Sequence, residues 1–244
     1  MSKISIVKTL TNSDGILRII LNNPKNHNAL SEDMMLNMQL ALDEAAADKK
    51  IRVIIISADG PTFSAGHDLK ELKAGRKNSD KGKGYFKEVM FKCSKLMQSI
   101  VNNPKPVIAE ISGVATAAGC QLVASCDLAY AGESAKFATP GVNIGLFCST
   151  PMVALSRNIS NKHSMEMLLT GDLISSDKAA KMAYQDIVGN LKKDATGNWV
   201  HENGLSINDA VSSYAKDDNN AFLFSVKANA GTGINPAKPA SGNN

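Results

Sequence analysis

Two short stretches of the chain carry residues suited to holding an anion. Phe63–Leu69 (FSAGHDL) and Gly113–Gln121 (GVATAAGCQ) each place glycine and small side chains between an apolar run and a helical pattern. Small residues let backbone N–H groups approach a ligand with no side chain in the way. The first turn of a helix adds unpaired donors and the positive end of its dipole. Two such turns side by side can hold an oxyanion. The same residues also make ordinary tight strand-to-helix turns, and spacing by itself does not separate the two. Neither stretch is a phosphate-binding fingerprint: the Walker pattern ends in Gly-Lys-Ser/Thr, and Gly113–Gly119 lacks the three glycines of a dinucleotide loop.

The elements around these turns follow from hydrophobic period. Gly15–Leu21 (GILRIIL) is a short β-branched run, and Asn22–Asn28 (NNPKNHN) breaks it, so a strand feeding a loop is expected. Ser31 can cap a helix over Ser31–Asp48, whose Met34, Met35, Met38, Leu42 and Ala45 recur at helical spacing as a core stripe. Arg52–Ser57 (RVIIIS) is a buried strand leading to the turn Ala58-Asp59-Gly60-Pro61 and the first candidate loop. Charge and glycine dominate Lys70–Lys83, which predicts a mobile surface loop, and Tyr85–Ile100 regains helical spacing. Pro106–Ile111 is a further buried strand, Ala117–Cys126 a short helix and Asp127–Ala131 a fourth strand. Short helices are expected over Pro151–Arg157, Met165–Leu169 and Asp177–Ala183, the last capped by Ser175-Ser176-Asp177. Alternation of strand and helix indicates an α/β fold with no internal repeat.

Composition limits the function classes. The 244 residues are 43% hydrophobic and 20% charged, which suits one globular core. With 27 Lys+Arg against 23 Asp+Glu, the net charge of +4 does not indicate a nucleic-acid binder. No apolar run approaches the roughly 18 residues of a spanning helix, and MSKISIVKTLTNSDG has no hydrophobic signal region, so neither membrane nor secretion is expected. Cys93, Cys120, Cys126 and Cys148 have no CxxC spacing and are expected as reduced thiols, with no metal bound. A cytoplasmic protein is the default expectation, with the mitochondrial matrix as the alternative if a leader has been removed.

Taken together, LNNPKNHNALSEDM, FSAGHDLKEL, GVATAAGCQLVASCDLAYAGESAKFATPGVNIGL and LLTGDLISSDKAAKMA resemble, in that order, segments of the crotonase (enoyl-CoA hydratase/isomerase) superfamily. FSAGHDLKEL and FATPGVNIGLFCST are most similar to its enoyl-CoA hydratase domain-containing protein 3 subgroup. The likeness spans about Ile16–Ala183. It implies a crotonase-like ββα spiral over residues 1–183; residues 184–225 depart from the family pattern, and 226–244, rich in Asn, Gly, Ala and Pro with almost no large apolar residues, is expected to be a disordered tail. It further implies a lyase or isomerase of fatty-acid metabolism that takes an acyl-CoA thioester, with coenzyme A as part of the substrate and no separate cofactor. The family assembles as a homotrimer or hexamer.

By position, the resemblance assigns one oxyanion donor to the backbone N–H of His67 and the other to that of Ala118. CoA contacts fall on His67, Asp68, Leu69 and Lys70, with Ala65 by the adenine and Lys25 and Ala29 in the earlier loop. Hydratases of the family move protons with two glutamates, and here those positions hold Gln121 and Gly141. Glutamine orients a water but exchanges no proton near neutral pH, and glycine has no side chain. Hydration is therefore expected to be weak or absent. Replacing both residues by glutamate is expected to raise it cooperatively. A third acid position of some isomerases falls on Ser149, beside Cys148, which is expected as an inert buried thiol. His67 supplies the site's imidazole. The alternatives are a CoA-thioester hydrolase or decarboxylase, and a non-catalytic acyl-CoA-binding or assembly protein.

Overall fold

The computed structural model describes residues 5–184, 191–193 and 199–201. The chain divides into two units, Met1–Tyr184 and Gln185–Asn244. In the first, β1 (Val7–Thr11) and β2 (Ile16–Leu21) precede α1 (Glu32–Ala47), followed by β3 (Val53–Ala58), β4 (Thr62–Ser64), α2 (Leu69–Gly75) and α3 (Lys83–Val101). Then come β5 (Val107–Ile111), β6 (Val114–Thr116), α4 (Ala118–Ser125), β7 (Leu128–Ala131) and β8 (Lys136–Ala138). A 3-10 turn over Pro140–Ile144 leads to α5 (Ser149–Leu155), α6 (Asn161–Thr170), β9 (Ile174–Ser175) and α7 (Ser176–Tyr184). In the second unit, β10 (Leu191–Lys193) pairs antiparallel with β11 (Trp199–His201). The tail expected to be disordered, 226–244, lies outside the described residues, as does most of 184–225.

From β3 to β8, each successive pair of strands lays one strand in each of two sheets. The larger sheet has the order β1-β2-β3-β5-β7, antiparallel only at β1/β2, and the smaller has the order β4-β6-β8-β9. Strands β2, β3, β5 and β7 are parallel neighbours in sequence order, and so are β4, β6 and β8. This is the spiral of ββα turns implied by the sequence.

Burial explains the strand pattern. In β2, Leu17, Ile19 and Leu21 face the core, while Ile16, Arg18 and Ile20 are half-covered. The long apolar run at β3 led to an expectation of full burial. The structure instead buries only Ile54 and Ile56 and leaves Val53 and Ile55 half-covered on the outer face. That face carries a two-pronged ion pair, Arg18 Nη1 and Nη2 to the two Glu110 carboxylate oxygens at 2.9 and 2.8 Å. Both partners are well exposed, so the pair contributes about 1 kcal/mol or less. The interior is filled by Ile19, Leu21, Ile54, Ile56, Met34, Met38 and Leu42, each worth about 1.5–3 kcal/mol on full burial. As expected, the methionine stripe of α1 is core.

Capping sets the helix limits. Ser31 is the N-cap of α1, its hydroxyl accepting from the Met34 N–H at 3.2 Å. Lys105, from the loop before β5, donates to the carbonyls of Ala45 and Asp48 at the other end. The expected mobile loop over Lys70–Lys83 needs correction: its first part is the helix α2. Asp68 caps that helix by accepting from the Lys70 N–H at 2.8 Å. Charge density suggested a loop, but a cap followed by Leu69, Leu72 and good helix-formers outweighs it.

Candidate active site

Loop and helix meet at the two small-residue turns. Gly66 sits at φ +83°, and a Cβ there would lie 2.9 Å from the Ala117 Cβ, 3.0 Å from the Ala118 N and 3.0 Å from the Thr116 O. Only glycine fits both this conformation and this contact. The residue after Gly66 is His67, and Ala118 is the first residue of α4, so the two expected donors belong to adjoining backbone segments. The Ala118 N–H has no intrahelical acceptor by position. Among the described residues, neither it nor the His67 N–H has a protein acceptor.

Both segments are held from behind. Ala117, at φ +51° and ψ −121°, occupies a conformation that costs a non-glycine residue about 1–3 kcal/mol. Its N–H donates to the Ala138 carbonyl at 2.9 Å, which fixes the strained turn immediately before Ala118. On the other side, the Leu30 N–H donates to the Gly66 carbonyl at 2.7 Å, and the Ala65 N–H to the His27 carbonyl at 3.1 Å. Two buried polar residues that sequence reasoning missed tie these loops together. Asn28 donates to the carbonyls of Asp59 and Thr62 at 2.9 and 2.7 Å and accepts from the Asn23 N–H at 2.7 Å. Ser64 donates to the Asn28 carbonyl at 2.9 Å and accepts from the Gly66 N–H at 3.3 Å. Their signal is faint, a polar residue in a loop, and only burial reveals the role.

The expected CoA positions gather at the same loops. Ala29 is buried and Ala65 exposed, one on each side of the Leu30–Gly66 bond. Lys25 lies on a 3-10 turn, Pro24–Asn26, and the Lys70 ammonium reaches the Asn26 side-chain oxygen at 3.5 Å. Lys70 thus reaches the turn that carries Lys25, with Asp68 and Leu69 opening α2 between that turn and Lys70. Glu71, one residue further on, accepts from the Glu32 N–H at 3.0 Å and so secures α2 to the start of α1. Burial pushes the Glu71 carboxyl above its usual range, an effect opposed by that bond and reinforced by the nearby acids Asp68, Glu32 and Asp33.

Three polar side-chain atoms are buried without a hydrogen-bond partner among the described residues: both ring nitrogens of His67 and the Oε1 of Gln121. Gln121 is 7% exposed. Burial holds the His67 imidazole below the usual histidine pKa, with the nearby Leu30 backbone opposing the shift. Burial thus disfavours the protonated ring.

Gly141, the position to which the resemblance assigns the second family glutamate, has no room for a side chain without a shift of its neighbours. A Cβ on Gly141 would lie 2.4 Å from the Leu146 carbonyl oxygen and 2.7 Å from the Cys148 sulfur. The Leu146 N–H also donates to the Gly141 carbonyl at 2.9 Å, which folds Gly141–Leu146 into a tight loop. Cys148 is buried, and burial raises its thiol pKa, partly offset by a bond from the Gly141 backbone. Cys120, beside Gln121, is pushed up to about 12 by burial and by Cys148. Ser149 begins α5 and is exposed. All four cysteines are free thiols. Among the described residues, no group of His, Cys, Asp and Glu could hold a metal ion, and no helix is long and apolar enough to cross a membrane.

A paired loop and helix N-terminus on a ββα spiral define a class of protein, and comparison with known families agrees. Residues 11–189 match the family model described as enoyl-CoA hydratase/isomerase, and the chain belongs to that family. Among individual relatives, it is 54% identical over 166 residues to the mitochondrial enoyl-CoA hydratase domain-containing protein 3 of Homo sapiens, covering 68% of this chain and 53% of that protein. It is 55% identical over 170 residues to the protein of the same description from Xenopus laevis, covering 70% and 56%. The chain thus spans about half the length of these curated relatives. The crystal structure of the human domain-containing protein 3 superposes with a TM-score of 0.68 at 50% identity, over 73% of this chain and 68% of that one. An enoyl-CoA hydratase structure from Mycobacterium smegmatis gives 0.69 at 44% identity, over 73% and 67%.

Proposed function

We propose that this protein binds an acyl-CoA thioester and stabilises its enolate-like form through the backbone N–H groups of His67 and Ala118, with little or no hydratase activity. The observation that carries the proposal is the contact at Gly66, which sets one free donor segment against the other at the N-terminus of α4. When a thioester carbonyl gains enolate character, negative charge grows on its oxygen. Two preorganised N–H donors then hold that charge more strongly than they hold the ground-state carbonyl, each worth roughly 10²–10³ in rate. The dipole of α4 acts in the same sense, though the helix is short.

Proton transfer is where this site falls short of a hydratase. The Gln121 amide positions a water or hydroxyl without exchanging its proton, Gly141 has no side chain, and the Cys148 thiol is held in its neutral form. A thioester hydrolase or decarboxylase needs the oxyanion site more than the acid pair, and both stay within this proposal. The filled space at Gly141 favours one further reading, a non-catalytic acyl-CoA-binding or assembly protein. Lys25 and Lys70 would meet CoA phosphates as exposed point charges. No cofactor beyond the CoA of the substrate is proposed. A homotrimer or hexamer would cover exposed apolar side chains such as Leu128, Tyr130, Ile144 and Leu146. The mitochondrial naming of the relatives favours the matrix over the cytoplasm.

The test is paired. Equilibrium binding of a non-hydrolysable acyl-CoA analogue should be measurable below millimolar concentration. Loss of crotonyl-CoA absorbance should meanwhile be far slower than the roughly 10 s⁻¹ typical of enzymes. No binding at millimolar ligand rejects the proposal, and fast hydration rejects the missing acid–base pair.

A further inference from the structure

The chain's charge is concentrated on one helical hairpin. Residues 69–91 hold seven of its 27 Lys+Arg and three of its 23 Asp+Glu, so they account for the whole net charge of +4 and the remainder is balanced. Besides Lys70, the cations are Lys73, Arg76, Lys77, Lys81, Lys83 and Lys87, and all seven are exposed. The end of α2 packs closely on the start of α3. A Cβ on Gly75 would collide with the Tyr85 ring, and one on Gly82 would lie 2.8 Å from the Gly75 carbonyl oxygen.

The fold uses the three acids of this hairpin and leaves its cations out. Glu71 accepts from the Glu32 N–H at 3.0 Å, Asp80 accepts from the N–H groups of Gly82 and Gly84 at 2.9 and 2.7 Å, and Glu88 pairs with Lys92 at 2.7 Å. Among the described residues, none of the seven cations belongs to an ion pair. Lys83 and Lys87 are a like-charged pair one turn apart on α3, an arrangement that costs helix stability. Folding gives no reason for so many unneutralised cations. An anionic partner does.

The kind of anion follows from the side chains involved. Six of the seven cations are lysines, point charges suited to a diffuse field, rather than the arginine forks that grip one carboxylate or phosphate in a fixed geometry. Large apolar side chains stand among them. Leu69, four residues before Lys73, is 64% exposed, and Phe91, four residues after Lys87, is 69% exposed. Lys87 and Phe91 line one shallow groove on α3 with Gly84, Glu88 and Met90. Cations interleaved with exposed leucine and phenylalanine suit the boundary where charged lipid headgroups meet acyl chains.

We propose that the α2–α3 hairpin docks this protein on an anionic bilayer surface, its cations facing lipid phosphates and Leu69 and Phe91 entering the interface. The expectation of no membrane partner rests on spanning runs and overall charge, whereas adsorption needs neither a spanning helix nor a large net charge. The proposal does not depend on the acyl-CoA reading.

Sedimentation of the full chain with lipid vesicles tests it. Phosphatidylcholine vesicles containing about 30% phosphatidylglycerol are expected to bind at least about tenfold more tightly than pure phosphatidylcholine. Release is expected as salt rises from about 0.1 M to 1 M, which shortens the Debye length from about 10 to 3 Å. The fourfold variant Lys73→Gln/Lys77→Gln/Lys81→Gln/Lys83→Gln should bind the anionic vesicles about a hundredfold more weakly, at an unchanged melting temperature. Phe91→Ser should weaken binding about threefold or more while keeping its salt dependence. Equal binding to anionic and neutral vesicles overturns the proposal, as does either variant binding like the parent. Tighter binding of polyglutamate or single-stranded RNA than of the anionic vesicles also overturns it, and reassigns the hairpin to an acidic protein or a nucleic acid.

Discussion

The two halves of the site are built by opposite means. At Ser64–His67 and Ala117–Gln121, the backbone carries the proposed role: a left-handed Gly66 packs against the strained Ala117 and the first residue of α4, and on the proposed reading the N–H groups of His67 and Ala118 serve as donors. At Pro140–Ser149, a hydratase of the family would need a carboxylate side chain. Here the backbone folds tightly at Gly141, and the Leu146 carbonyl oxygen and the Cys148 sulfur lie 2.4 and 2.7 Å from where a Cβ would be. On the proposed reading, anion stabilisation and proton transfer depend on different atoms, so one can be kept without the other. Main-chain donors depend on packing, whereas acid–base groups depend on a single residue identity.

That contrast breaks first at Gly66. Gly66→Ala places a Cβ within 3.0 Å of the Ala118 nitrogen and the Thr116 oxygen in a conformation unfavourable to alanine. Strain and overpacking together should cost about 2–5 kcal/mol, read from denaturant titration, and should abolish acyl-CoA binding in whatever folded fraction remains. A variant of unchanged stability that still binds ligand would show that the two loops do not depend on this contact.

The second half responds differently to substitution. From sequence, glutamate at both 121 and 141 was expected to raise hydration cooperatively. The structure puts a backbone oxygen 2.4 Å from the first side-chain carbon at 141, so Gly141→Glu must displace the Gly141–Leu146 turn. Its expected outcome is a loss of about 1–3 kcal/mol in stability and no gain in crotonyl-CoA hydration, alone or with Gln121→Glu. A double variant that hydrates faster, at unchanged melting temperature, would mean that the loop opens readily and that the halves are not as distinct as drawn.

A third, smaller effect is electrostatic. The folded state holds His67 below its ordinary pKa of 6.5, so it binds fewer protons than the unfolded chain. Stability from this group is fully present above about pH 6.5 and is lost as pH falls from there toward the folded-state pKa. Between pH 7 and 5.5 most carboxylates stay ionised, which separates the histidine contribution from general acid unfolding. The melting temperature of the unmodified protein should fall over this interval by more than that of His67→Phe. Equal slopes would place the imidazole in contact with water.

Legibility followed element length and residue type. β2, α1, β3, α3, β5 and α4 were expected close to their observed limits because each has a clear apolar period or an end signal such as Ser31. The strands of the smaller sheet were not foreseen. β4, β6, β8 and β9 are two or three residues long, and runs so short leave no period to detect. At the site, glycine and small residues marked the two backbone turns and the family likeness assigned their donors. The unpartnered His67 nitrogens, the bracing by Asn28 and Ser64, and the wall at Gly141 depend on what packs against each residue, which spacing along one chain does not encode.

The least of the expected effects concerns the lysines. Lys70 and Lys25 are exposed, and among the described residues the Lys70 ammonium meets the Asn26 side-chain oxygen at the outer limit of a hydrogen bond. An exposed charge facing a phosphate through water is heavily screened at physiological salt, where the Debye length is about 8 Å. Lys70→Ala should therefore weaken acyl-CoA binding only about twofold to fivefold, in keeping with exposed ion pairs, and should not alter the preference among acyl chains. The double variant Lys25→Ala/Lys70→Ala should lose somewhat less than the product of the two single effects, because neighbouring cations act on the same phosphates. Raising the salt concentration should shrink the gap between variant and parent. Were the loss to exceed a hundredfold and persist at high salt, the lysines would be anchoring the ligand as firmly as the main-chain donors, and binding could no longer be assigned chiefly to the Gly66–Ala118 junction.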